Sequence, residues 1–157
     1  GAPSVAEAGS TPETRFPSGF DPQAPVSSFE QRGYNNELGQ AIASDAAREA
    51  RGRQTVGWCY NAVADTIDRQ TEPFLRGSHA YQSADQLARR TDLFREAPAT
   101  NLDKLPAGAV VVWGKGTSRS GHISIALGDG REASDHIAPQ MMRHYGGAPA
   151  RVFLPVR

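Results

Sequence analysis

Gly121-His122-Ile123-Ser124-Ile125-Ala126-Leu127-Gly128-Asp129-Gly130-Arg131-Glu132-Ala133-Ser134-Asp135 reads as a β-hairpin. Residues His122 to Leu127 alternate in character, Gly128-Asp129-Gly130 supplies a turn, and Arg131 to Asp135 returns as the partner strand. Just upstream, Ala109-Val110-Val111-Val112-Trp113 is short, apolar and β-branched, and reads as a buried strand. Gly114 to Gly121 between them reads as a mobile polar loop. Arg151-Val152-Phe153-Leu154-Pro155-Val156 predicts a closing strand, with Pro155 marking an edge or an end.

Helices dominate the part of the chain before this sheet. Leu38, Ile42 and Ala46 are spaced four apart in an Ala-rich stretch from Asn36 to Ala50, which predicts an amphipathic helix ended by Gly52. Cys59, Val63 and Ile67 form one stripe of a second helix that runs to about Gln70 and is stopped by Pro73. Ala80, Ala84, Leu87 and Ala88 suggest a third, with Asp85 near its start and Arg89 and Arg90 near its end. Leu93, Phe94 and Leu102 are expected beneath the loop that follows. Helices first and an antiparallel sheet afterwards predict an α+β domain, its N-terminal helices packed on a small antiparallel sheet.

The chain has 157 residues, enough for one domain with a substantial core. Seventeen basic and seventeen acidic residues balance, so electrostatics imply neither a nucleic-acid partner nor an acidic membrane surface. No apolar run is long enough to span a bilayer, and Gly1-Ala2-Pro3-Ser4 lacks the regions of a signal peptide. Residues 1–28 scatter Pro3, Pro12, Pro17, Pro22 and Pro25 among small residues and are expected to form a disordered or extended tail, leaving 29–157 as the folded domain. Phe16, Phe20, Val26 and Phe29 could pin parts of the tail onto the domain.

A single cysteine, Cys59, excludes an internal disulfide and any multi-cysteine metal cluster. Lone thiols are often buried as small apolar groups. Cys59, however, falls in the first turn of its helix, where unpaired N–H groups and the positive end of the dipole favour a thiolate. Further along, His122 opens a strand behind a glycine that clears space. A thiol and an imidazole so arranged can act as nucleophile and base. Trp58 and Tyr60 read as core aromatics, although Tyr60 could line a cleft.

This order of cysteine on a helix start, histidine on a strand and a polar residue on the next strand resembles the papain-like cell-wall hydrolases of bacteria, the CHAP amidases and NlpC-type peptidases. Leu105-Pro106-Ala107-Gly108 leading into Ala109–Trp113 looks like the family's entry to its first core strand. Gly121–Gly130 looks like its glycine-histidine strand and turn, and Ala150-Arg151-Val152-Phe153 like its last strand. The likeness spans roughly residues 50–157 and rests on the order of the motifs. Here Trp58 and Tyr60 flank the cysteine where these relatives often carry Asp before it and Ser-Gly after.

The resemblance implies a papain-like fold and a cysteine amidohydrolase or endopeptidase acting on peptidoglycan stem peptides through a thioester. It implies no cofactor, a secreted or exported monomer, and an immunity protein if the chain is a toxin. A host-protein protease or glutamine deamidase with the same site is the alternative. Asp135 is expected to complete the set with Cys59 and His122, because a carboxylate stabilises imidazolium and fixes its tautomer. Ser134 and His136 are the other candidates. A three-residue loop at 128–130 puts His136 opposite His122, whereas a two-residue turn brings Asp135 diagonally close and Ser134 opposite Ile125. Glu132 reads as a solvated strand residue, His79 and His144 as surface residues, and Met141-Met142 as packing. Lys115 and Arg119 could meet an anionic substrate. No metal is expected, since His122, Asp135 and His136 match no usual ligand spacing.

Overall fold

The computed structural model describes residues 28–53 and 59–157. The proline-rich head and the expectations for Phe16, Phe20, Val26 and Trp58 lie outside the described residues. A short helix, α1 (Ser28–Gln31), precedes α2 (Asn36–Arg53), α3 (Cys59–Gln70) and α4 (Ser83–Arg89), the last entered through a 3-10 turn at Ala80–Gln82. The strands are β1 (Phe94–Ala97), β2 (Val110–Trp113), β3 (His122–Ala126), β4 (Arg131–Ala133), β5 (Ile137–Pro139) and β6 (Ala150–Pro155).

All six strands join one sheet in the order β1-β6-β2-β3-β4-β5, and every neighbouring pair is antiparallel. The closing strand therefore lies inside the sheet, between β1 and β2, and Pro155 stands at its end, paired with Phe94. Alternation divides the apolar side chains between two cores. Val110, Val112, Ile123, Ile125 and Phe153 face α2, α3 and α4, where Ile42, Val63, Ile67 and Leu87 are buried. Val111, Trp113, Ala126, Val152 and Leu154 face the other way, onto Leu102, Leu105 and the pinned Phe29. Burial on both faces explains why 109–113 is an unbroken apolar run.

Helix α2 starts where Asn35 caps it, its side-chain oxygen accepting from the Leu38 N–H at 3.0 Å. It is tied to α3 by Asp45, a buried carboxylate that accepts from Arg69 at 2.9 and 3.0 Å and from Gln70 at 3.0 Å. Gly39 of α2 lies directly against Gly108, whose φ is +89°. A Cβ on Gly108 would lie 2.5 Å from the Gly39 Cα, so two glycines are what let helix and strand entry touch backbone to backbone. This contact fixes α2, and α3 through it, over the middle of the sheet.

Candidate active site

Cys59 is the first residue of α3 and is half-buried. The stripe expected of its helix is present: Val63 and Ile67 are buried against the sheet. Tyr60 is buried with them and donates its hydroxyl to the Arg76 carbonyl at 2.8 Å, so it is a core residue and not a cleft wall.

Across from α3, His122 opens β3 opposite Trp113. Gly121 before it has φ +71°, and any Cβ there would collide with the Trp113 carbonyl oxygen. A glycine is thus required for the chain to enter β3 at this point. The His122 side chain is only 13% exposed, and it hydrogen-bonds the Cys59 thiol on one side. On the other side, Nε2 meets Glu132 Oε2 at 2.9 Å. Burial disfavours the charged imidazole, but the hydrogen bonds to Cys59 and Glu132, with the charges of both, outweigh it and raise the His122 pKa to about 9.

Glu132 is thus not a solvated strand residue; its side chain is 4% exposed. The 128–130 loop has three residues, with the Leu127 N–H donating to the Arg131 carbonyl at 2.9 Å. In that register Glu132 pairs with Ala126, which shares a face with Ser124 and His122. Its carboxylate reaches back to the imidazole, while Oε1 accepts from Gln140 Nε2 and from the Met141 N–H, each at 3.0 Å. The signal was present in the sequence as period-two counting from His122 through the longer turn.

The other three candidates sit differently. The register that would bring His136 opposite His122 ends at Ala133, because Ser134 N–H donates to the His136 carbonyl at 2.9 Å and folds the chain back into β5. Asp135 is buried at the apex and its carboxylate meets His136 Nδ1 at 2.7 Å; Ser134 Oγ lies 3.4 Å from the same oxygen. The carboxylate hydrogen-bonded to His122 belongs to Glu132, in place of the expected Asp135. Asp135 and His136 nevertheless line the same cleft.

That cleft has a volume of about 600 Å³ and opens over Cys59 and His122. His79 and His144, expected on the surface, both line it. His79 Nδ1 lies 2.8 Å from Ser120 Oγ, joining the segment before α4 to the 114–121 loop. This loop is fastened rather than loose: Thr117 N–H donates to the Gly146 carbonyl at 2.8 Å and Gly121 N–H to Ser118 Oγ at 2.9 Å. His144 is 3% exposed and lies nearly parallel to both His122 and Trp113, with centroids 6.2 and 6.3 Å away. Its Nδ1 accepts from the Gly146 N–H at 3.1 Å. Burial, and then the charge of His122, lower its pKa, which favours the neutral ring. Met141 lines the cleft and packs on the second core, while Met142 is 54% exposed. Among the described residues, no group of three His, Cys, Asp or Glu side chains is arranged to hold a metal ion.

A thiol, an imidazole and a carboxylate thus stand in one hydrogen-bonded series at the end of a sheet, beneath an open cleft. Compared by sequence, the chain matches no protein-family model and no curated protein. Compared by structure, it is similar to the native type VI effector–immunity complex Tae3–Tai3 from Ralstonia pickettii, with a TM-score of 0.56 and 21% identity over 73% of this chain and 96% of that one. The selenomethionine form of that complex gives a TM-score of 0.53 and 23% identity over 72% and 97%. The fold is papain-like. The α+β class, the helices before the sheet and the antiparallel pairing are those the sequence predicts.

Proposed function

We propose that the chain is a cysteine amidohydrolase that cleaves amide bonds of bacterial peptidoglycan, delivered as an effector and neutralised by an immunity protein. The observation that carries the enzymatic part is the Cys59–His122–Glu132 series, with Glu132 as its third member. The wall substrate is supported by the family resemblance of the helix, hairpin and closing-strand motifs. The effector role and the immunity partner are supported by the similarity to the Tae3–Tai3 complex.

In the reacting form of the site the thiol proton resides on His122, leaving Cys59 a thiolate. The thiolate attacks the amide carbonyl carbon, and negative charge moves to the carbonyl oxygen. The Cys59 backbone N–H, in the first turn of α3, supplies part of the oxyanion hole in this reading. As the C–N bond breaks, His122 gives its proton to the leaving amine and a thioester remains on Cys59. Neutral His122 then takes a proton from water, whose oxygen attacks the thioester; the C–S bond breaks, releasing the acid and restoring the thiolate–imidazolium pair. The Glu132 carboxylate stabilises the imidazolium.

Export of the protein to the periplasm of a Gram-negative host separates wall hydrolysis from attack on cytoplasmic proteins. The exported chain is expected to lyse cells, the same chain kept in the cytoplasm is expected to be tolerated, and exported Cys59→Ala is expected to be harmless. Toxicity confined to the cytoplasm would contradict a wall substrate.

A further inference from the structure

Glu132 is held by more than His122. Its Oε2 faces the imidazole, and its Oε1 accepts from Gln140 Nε2 and the Met141 N–H. Gln140 lies just beyond β5, anchored by its own N–H to the Gly130 carbonyl at 2.9 Å, and is 5% exposed. Its Nε2 also donates to the Met141 carbonyl at 3.3 Å, which fixes the amide plane. Among the described residues its own Oε1 has no hydrogen-bond partner although it is buried. A buried carbonyl without a partner costs stability, and an apolar side chain of the same size would avoid that cost. A glutamine placed only for packing has no reason to bear it.

We propose that Gln140 is a positioning residue, which grips Oε1 of Glu132 so that Oε2 stays against His122 Nε2. The inference rests on the proposed Cys59–His122–Glu132 site. Two donors on one oxygen fix the carboxylate in its plane, whereas the Met141 N–H alone allows rotation about Cγ–Cδ. With rotation, Oε2 leaves the imidazole and the proton on Nε2 loses its acceptor. The charged or titratable groups facing His122 are Cys59 from α3, Glu132 from β4 and His144 from the segment after β5. His79, Arg119, Asp135, His136 and Tyr145 are the other charged or titratable groups lining the cleft around it.

The test is an NMR titration of the four histidine rings in the intact protein and in Gln140→Met, together with thermal unfolding of both. His122 is expected to titrate at about 9 in the intact protein. In Gln140→Met it should titrate lower by about one pH unit, with the unfolding temperature unchanged or raised above about pH 9, where the His122 contribution is absent. Gln140→Asn, one methylene too short to reach Oε1, should share the lowered midpoint. An unmoved His122 midpoint, or a Gln140→Met protein that loses its fold, would overturn the positioning role and leave the site intact. A His122 midpoint near 6.5 in the intact protein would instead overturn the paired site itself, and the inference with it.

Discussion

The two oxygens of Glu132 have separate tasks. One is saturated by neutral donors from 140–141, and the other is left for an imidazole that is itself bonded to a thiol. Glu132→Gln keeps the shape and removes the charge. It is expected to lower turnover roughly 10²–10⁴-fold and to move the alkaline limb of activity below about pH 9, as read from a pH–rate profile. The same group ties stability to pH. The folded-state pKa of His122 is raised above its unfolded value of 6.5, so its stabilising contribution is complete below pH 6.5 and fades as pH rises through about 9. Unfolding temperature should therefore fall across that window in the intact protein, and fall less in Glu132→Gln. An equal decline in both would mean that another group titrates there.

At the scale of elements, the site is the product of two positions in the backbone. Cys59 is set by α3, and α3 is set by its packing on β3 and by the Asp45 clasp to α2. Helix α2 is seated in turn by the Gly39–Gly108 contact. Gly108→Ala would drive a Cβ into the Gly39 backbone at a φ of +89°, so we expect a loss of about 2 kcal/mol or more in denaturant unfolding. A Gly108→Ala protein as stable as the parent would show that α2 can shift without consequence.

Helices α2 and α3, the strand at 110–113 and the His122 hairpin were legible because each carries a strong period and flanking breakers. Strand β1 was not: Phe94-Arg95-Glu96-Ala97 is an edge strand with two exposed charged residues, and its pairing with β6 is invisible locally. Strand β5 is three residues long and mixed in character. Which carboxylate meets His122 turned on register. A polar residue on the strand after His122 could be expected, but the choice among positions 132 to 136 depends on a turn length and on where β4 ends. His144 could not be found at all, since only the tertiary fold brings it to the face of His122.

For the whole molecule, among the described residues, apolar side chains pack on both faces of the sheet, and the cleft lies where β3 begins, beside Cys59. Among the described residues, no helix is long and apolar enough to cross a membrane. The formal charge is zero, so substrate choice falls to the cleft's own side chains and not to long-range steering. Met142 and Tyr145, 54% and 82% exposed, carry apolar surface beside it, in the same segment that supplies His144.

The central claim, thiol-dependent hydrolysis of the bacterial wall, is tested most directly by digesting purified peptidoglycan with this protein and with Cys59→Ala. Mass spectrometry of the soluble fragments would identify the bond cut. We predict fragments with newly exposed amine and carboxylate ends from the intact protein and none from the variant. Equal release by both, or release by neither while Cys59 still reacts rapidly with iodoacetamide at neutral pH, would contradict it.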